Sequence, residues 1–202
     1  MIIKVCGLTI KKQIEELDQL HSIQWLGSIF YSKSKRYVNH LDGNIKNSKK
    51  VGVFVNQSEE EIKSIAIENK LDTLQLHGHE TPDLCIQLKK NYTIIKAFGI
   101  NESFDFQLLI KYQDVVDYFL FDTKTIDYGG SGQTFDWSHI EKYTLEVPFI
   151  ISGGINKNSV LAIKQITHQS FAGIDINSGF ENKPGDKNCE EIKKFIKELK
   201  NE

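Results

Sequence analysis

No one sign of charge dominates this 202-residue chain: 25 Lys and Arg stand against 27 Asp and Glu, a formal net charge of −2. With no basic excess to neutralise a phosphate backbone, nucleic acid is not an expected partner. Long apolar runs are missing as well. None approaches the roughly 18 residues of a membrane span, so no membrane partner is expected. The start, Met1-Ile2-Ile3-Lys4-Val5, sets a charge where a signal peptide needs an apolar stretch, which argues against export. Cysteine is scarce: Cys6, Cys85 and Cys189 are an odd set without a Cys-x-x-Cys pair. That usage fits a reducing cytoplasm and not a disulfide framework. Also absent are a P-loop, an HExxH helix and a Ser/His/Asp ordering, the usual signals of NTPases and hydrolases.

What is present is a regular alternation. Short runs rich in β-branched and aromatic residues recur at Ile2–Val5, Trp25–Phe30, Val51–Val55, Thr73–Leu76, Thr93–Phe98, Tyr118–Phe121, Pro148–Ile151 and Phe171–Ile174. Between most of them the apolar spacing is helical, as in Ile14, Leu17 and Leu20, in Ile62, Ile65 and Ala66, and in Ile192, Phe195, Ile196 and Leu199. Ser58 followed by three glutamates, and Thr81 followed by Pro82, read as helix starts. Eight βα units of roughly 25 residues predict an α/β protein, a closed (β/α)8 TIM barrel, as a single minimal domain over residues 1–202. An open dinucleotide-binding sheet would carry a glycine fingerprint in its first turn, and Cys6-Gly7-Leu8-Thr9 is not one. Residues 32–50 are polar and carry the weakest helical signal. Residues 123–135 are long for a βα connection and read as an active-site lid or a plain surface loop.

Alternation along each strand shares out the polar side chains. Lys4 and Cys6 share a face opposite Ile3 and Val5; Thr73, Gln75 and His77 oppose Leu74 and Leu76. Lys96 opposes Ile95 and Ala97, Asp122 opposes Phe119 and Phe121, and Asp175 opposes Ile174. With the apolar sets toward the helices, the polar set lies inside the barrel near the C-terminal ends of the strands, where such barrels place their sites. There the two lysines and two aspartates would roughly neutralise one another. A buried ion-pair network that only holds the barrel together is the alternative for Lys4 and Lys96. Cys6 ends a strand with Lys4 close by, and a neighbouring cation is expected to lower its thiol pKa and make it a base or nucleophile. Cys85 and Cys189 fall on helical segments and read as small buried hydrophobes.

Two glycine turns look like anion sites. Ser152-Gly153-Gly154-Ile155-Asn156 leads from the seventh strand into a helical start, and Asp175-Ile176-Asn177-Ser178-Gly179 follows the eighth. Glycines there let backbone N–H groups approach a phosphate, at the place where barrels usually bind one. In His77-Gly78-His79 alternation sends the two imidazoles apart and no third ligand is suggested, so no metal is expected.

These segments resemble the phosphoribosylanthranilate isomerase family of tryptophan biosynthesis. The resemblance runs through Lys4-Val5-Cys6-Gly7-Leu8-Thr9, residues 30–38 around Arg36, Leu74-Gln75-Leu76-His77-Gly78, Phe121-Asp122-Thr123-Lys124 and residues 128–137. It continues through Ser152-Gly153-Gly154-Ile155-Asn156, then Ser178-Gly179-Phe180-Glu181 with Pro184-Gly185. It implies a cofactor-free Amadori rearrangement of N-(5-phosphoribosyl)anthranilate in the cytoplasm, by a monomer or homodimer. By that likeness Asp122 is the general acid that opens the furanose and Cys6 the base that removes the C2′ proton. Arg36 is the clamp on the anthranilate carboxylate, Gly153, Gly154, Asp175, Asn177, Ser178 and Gly179 belong to the phosphate loops, and Lys4, Gln75 and His77 support the site. Asn177 and Phe180 depart from the pattern, which has Ser and a smaller aliphatic there, and Ile10-Lys11-Lys12 replaces a more acidic stretch. The histidine-pathway isomerase is the nearest rival, but it ends its first strand in a carboxylate and shows an internal repeat not found here. Redox sensing by Cys6 lacks a partner thiol nearby in sequence.

Overall fold

In the computed structural model, which describes residues 1–123 and 137–201, eight parallel strands close into a barrel in sequence order. They are β1 (Ile2–Val5), β2 (Trp25–Ile29), β3 (Lys49–Phe54), β4 (Thr73–Leu76), β5 (Thr93–Ile100), β6 (Tyr118–Thr123), β7 (Phe149–Ser152) and β8 (Phe171–Ile176). The ring closes where β8 pairs with β1, setting Lys4 beside Asp175 in register. After β8 the chain adds a small hairpin, β9 (Glu181–Lys183) with β10 (Asp186–Lys187), before the last helix. The lid expected over residues 123–135 lies outside the described residues except for Thr123. Among the described residues no helix is long and apolar enough to cross a membrane.

The connections are less regular than eight equal units. Full helices follow β1 (α1, Lys11–Asp18), β3 (α2, Glu59–Asn69), β4 (α3, Pro82–Lys89) and β8 (α5, Cys189–Lys200), and a short one follows β7 (α4, Val160–Lys164). Both expected starts are present. The Ser58 hydroxyl accepts from the Glu61 N–H while Glu61 reaches back to the Ser58 N–H, and Thr81 caps α3 ahead of Pro82.

No helix joins β2 to β3. There the buried Asp18 carboxylate accepts the backbone N–H groups of Lys46, Asn47 and Ser48. Asn69 likewise accepts from the Leu41 N–H. Side chains from two neighbouring helices thus supply the partners that a helix would have supplied internally. After β5 and β6 the described segments form only 3-10 turns, Phe106–Tyr112 and Trp137–Lys142. Large rings fill the thinner layer: Phe121 packs on Phe106, Tyr143 and Phe149 with centroids 5.7, 5.3 and 5.1 Å apart.

Two cores result. The larger lies between sheet and helices; the smaller plugs the barrel with Trp25, Val51, Ile95, Ala97, Leu120 and Ile150. The plug reverses one expectation. Ile95 and Ala97 point inward and Lys96 outward, where its Nζ donates to the carbonyls of Leu76, Gly78 and Ala97 and pairs with Glu80 at 3.0 Å. Lys96 is therefore not one of the charges inside the barrel. Alternation says which side chains share a face but not which face is inner, and here the inner volume takes the apolar pair.

Candidate active site

Above the apolar plug, the C-terminal ends of the strands surround a cavity of about 180 Å³. Ten of the residues singled out in the sequence line it: Cys6, Gln75, His77, Asp122, Gly153, Gly154, Asp175, Asn177, Ser178 and Gly179. They come from five strand ends, those of β1, β4, β6, β7 and β8, which closing the barrel brings together. Lys4 and Arg36 stand just outside that lining.

Lys4 is fully buried, and its Nζ lies 2.9 Å from Asp175 Oδ2, from the neighbouring strand in register. Gly27 on β2 makes the room. A Cβ there would stand 3.2 Å from both Lys4 Nζ and Cys6 Sγ. Burial works against the lysine charge, but Asp175, helped by Cys6, outweighs it and holds the Lys4 pKa above its ordinary value. For Cys6 the balance goes the other way. Burial pushes the thiol up, Lys4 pulls it down, and the Asp175 carboxylate cancels part of that pull. The net shift is upward, opposite to the expectation from Lys4 alone. Cys85 and Cys189 are buried and pushed up to about 11, as small hydrophobes in helices should be.

Asp175 also titrates high, first because it is buried and further because Asp122 is near, with Lys4 opposing. Its Oδ1 is buried without a hydrogen-bond partner, as is Gln75 Oε1. A carboxylate at the cavity floor has the wrong charge to be part of a phosphate cradle, so Asp175 separates from the turn that follows it. Asp122 sits across the cavity with about a third of its side chain exposed, 3.4 Å from His77 Nε2. Gln75 Nε2 lies 2.9 Å from His77 Nδ1. The His77 ring thus lies between Gln75 and Asp122. His79 takes no part: its backbone N–H donates to Asn56. Among the described residues no group of three His, Cys, Asp or Glu side chains is placed to hold a metal ion.

The two glycine turns touch. A Cβ on Gly179 would stand 2.1 Å from the Ile155 carbonyl oxygen, so only a glycine lets the β8 turn lie against the β7 turn. Gly153 and Gly154 both hold positive φ, +85° and +68°, and Asn156 then caps a 3-10 turn, Lys157–Ser159, ahead of the five-residue α4. The helical start expected at Asn156 is therefore a tight turn closed by its own side chain.

Arg36 is carried by the turn after β2, where its N–H donates to Ser34 Oγ and the Val38 N–H returns to the Ile29 carbonyl. Its stem crosses Gly7, directly after Cys6: a Cβ on Gly7 would stand 2.6 Å from both Arg36 Cδ and Asn177 Oδ1. The guanidinium is not open on all sides. Nε donates to both Glu181 oxygens at 2.9 and 3.0 Å, and Nη2 donates to Oε2 at 2.6 Å. Glu181 Oε1 also accepts from Lys187 Nζ at 2.6 Å, and the same Nζ donates to Asn177 Oδ1 at 2.6 Å. Neither Glu181 nor Lys187 was assigned a role from the sequence. The available signal was the Pro184-Gly185 turn: a hairpin around it pairs Glu181 with Lys187 across its two strands. Asn177 in place of Ser is explained by its longer side chain, which reaches Lys187. Phe180 is a packing residue, fully buried with its ring centroid 4.8 Å from that of Phe195.

A cavity holding a thiol, a carboxylate and two joined glycine turns suits proton transfer on a phosphorylated small molecule. Comparison with known proteins agrees. A family model described as N-(5′-phosphoribosyl)anthranilate (PRA) isomerase matches residues 3–198. The N-(5′-phosphoribosyl)anthranilate isomerase of Parabacteroides distasonis is 47% identical, over 98% of this chain and 93% of that protein. The crystal structure of phosphoribosyl anthranilate isomerase from Thermotoga maritima superposes with a TM-score of 0.84 at 33% identity, covering 100% of both chains. A phosphoribosyl anthranilate isomerase solved with reduced 1-(o-carboxyphenylamino)-1-deoxyribulose 5-phosphate superposes at 0.82 with 30% identity, again over 100% of both chains.

Proposed function

The chain belongs to the N-(5′-phosphoribosyl)anthranilate isomerase family, enzymes of tryptophan biosynthesis, and from that premise we propose a division of labour within its cavity. The reaction is the Amadori rearrangement of N-(5′-phosphoribosyl)anthranilate, with Asp122 as general acid and Cys6 as general base. The observation that carries this reading is the meeting of Cys6, Asp122 and both glycine turns around one cavity. The turns at Gly153–Gly154 and Asn177–Gly179 hold the phosphate through backbone N–H groups. Arg36, beside Cys6, receives the anthranilate carboxylate. Asp175 Oδ1, buried and without a partner, accepts a ribosyl hydroxyl.

The chemistry follows from that placement. Asp122 gives its proton to the furanose oxygen as the bond from that oxygen to C1′ breaks, leaving an iminium and an ionised carboxylate. The Cys6 thiolate takes the proton from C2′, and the electron pair of that C–H bond neutralises the iminium, giving an enolamine. Protonation at C1′ and loss of the C2′ hydroxyl proton complete the ketone. Cys6 is a high-pKa base, and the iminium formed beside it adds to Lys4 in favouring its thiolate. The ligand held by the structural relative, reduced 1-(o-carboxyphenylamino)-1-deoxyribulose 5-phosphate, has the carboxylate and phosphate that this reading requires and suits the cavity as a product analogue.

A steady-state assay that follows loss of substrate fluorescence tests the roles. Cys6→Ser and Asp122→Asn should each lower kcat by a factor on the order of 10² or more with KM nearly unchanged. Turnover at the wild-type rate in Cys6→Ser would remove the proposed base.

A further inference from the structure

We infer that Glu181 and Lys187 are positioning residues for Arg36: together they hold its guanidinium pre-aimed and so set the preference for a substrate carrying a ring carboxylate. The inference rests on the reading of Arg36 as the carboxylate site and gives that site its supporting residues. Two cations share one carboxylate. Arg36 places its Nε and Nη2 edge on Glu181, and Lys187 occupies Glu181 Oε1 from the other side. The Gly185 N–H adds a further donor to the same oxygen at 3.1 Å. The Glu181 and Lys187 side chains are buried, 4% and 0% exposed, while that of Arg36 remains 20% exposed at the edge of the cavity.

The hairpin that carries Glu181 and Lys187 is itself fixed to α1. Gln13 Nε2 donates to Asp186 Oδ1 and to the Lys187 carbonyl, while Gln13 Oε1 accepts the Lys187 N–H. The support for Arg36 is thus rigid, and a bidentate pair fixes one edge of its guanidinium. An arginine left free would have to lose its rotamer freedom each time a substrate bound. The cluster keeps a net charge of +1, because Lys187 balances Glu181 and Arg36 is left in excess, which suits an incoming anion. Lys187 also donates to Asn177 Oδ1, joining the support of Arg36 to the turn proposed for the phosphate.

Simple charge and positioning make opposite forecasts. Removing Glu181 deletes a negative charge near the site, so a pure field effect would tighten binding of a carboxylate ligand. Loss of positioning would weaken it. The probes are reduced 1-(o-carboxyphenylamino)-1-deoxyribulose 5-phosphate and the same compound without its ring carboxylate, each titrated calorimetrically against the whole protein. The wild type should favour the carboxylate ligand by a factor on the order of 10², and Arg36→Met should abolish that preference. Glu181→Gln should reduce the preference about tenfold while leaving the affinity for the decarboxylated ligand within about twofold. Glu181→Asp keeps the charge but withdraws it by one methylene, so it should lose preference too, and it serves if the Gln variant does not fold. A wild type that binds both ligands equally overturns the Arg36 reading itself. A preference that depends on Arg36 but is kept or increased in both Glu181 variants overturns the positioning role alone.

Discussion

Lys4→Met removes the cation paired with Asp175 and leaves that carboxylate, 4% exposed, without its donor at 2.9 Å. The attraction within such a pair is largely spent on desolvating both charges, so the pair itself adds little stability. Breaking it from one side is different, because the remaining charge is buried alone, and the expected cost is about 3–5 kcal/mol. For a chain of this length that corresponds to a fall in Tm of about 6–20 °C. Lys4→Met with Asp175→Asn removes the orphan charge, and most of the loss should return.

The pH dependence carries a definite sign. Burial already raises the folded-state pKa of Asp175 above its unfolded value, and without Lys4 it rises further. A raised carboxyl favours the folded state below the unfolded pKa and loses that contribution as pH climbs through the folded value. The deficit of Lys4→Met should therefore be small near pH 4 and grow toward neutrality. Urea midpoints of both variants from pH 4 to 8 measure this. A single variant that loses less than about 1 kcal/mol at pH 7, with no recovery in the double variant, would refute the argument that a stranded carboxylate dominates.

Three further outcomes follow from the same geometry. Because burial raises the Cys6 thiol pKa, kcat/KM should climb between pH 7 and 9 at up to roughly tenfold per unit, and a flat profile would exclude this thiolate as the base. Gly179→Ala sets a Cβ 2.1 Å from the Ile155 carbonyl oxygen and should raise KM on the order of tenfold by parting the two turns, whereas the Gly154 position has open space beyond its +68° φ. Gly154→Ala should therefore show mainly the left-handed backbone strain of about 1–2 kcal/mol, read by urea denaturation, and equal KM values in the two variants would contradict the contact. Burial works against the Asp18 charge, but its backbone donors outweigh that and hold the carboxyl below the usual range. Asp18→Ala should cost about 1–3 kcal/mol at pH 7, with the deficit shrinking as the wild-type carboxyl protonates in acid, as urea midpoints would show.

What could be read from the chain, and what could not, divides by how far the deciding partner lies along it. The eight strands were legible because each is written in its own residues, as Ile2–Val5 and Thr73–Leu76 show. So were the helix starts, since Ser58 and Glu61 are three residues apart. The connection from β2 to β3 was not, because the groups that replace its helix sit on Asp18 and Asn69, roughly 30 residues before or after the segment they organise. Lys96 was placed on the wrong face because its partner Glu80 comes from a loop 16 residues earlier. The same rule governs the chemistry. Cys6, Asp122 and the glycine turns were found because a barrel presents its strand ends together, whatever the sequence between them. The state of Cys6 was misjudged, since Lys4 is near it in sequence whereas the carboxylate that engages Lys4 lies 171 residues away. Arg36 likewise meets Glu181 across 145 residues. In this fold the positions of the cavity-lining groups are local information, whereas the ionisation of Cys6 and the aim of Arg36 are not. Glu181 and Lys187 are hidden in sequence for that reason: they set the aim of a side chain contributed by a different strand end.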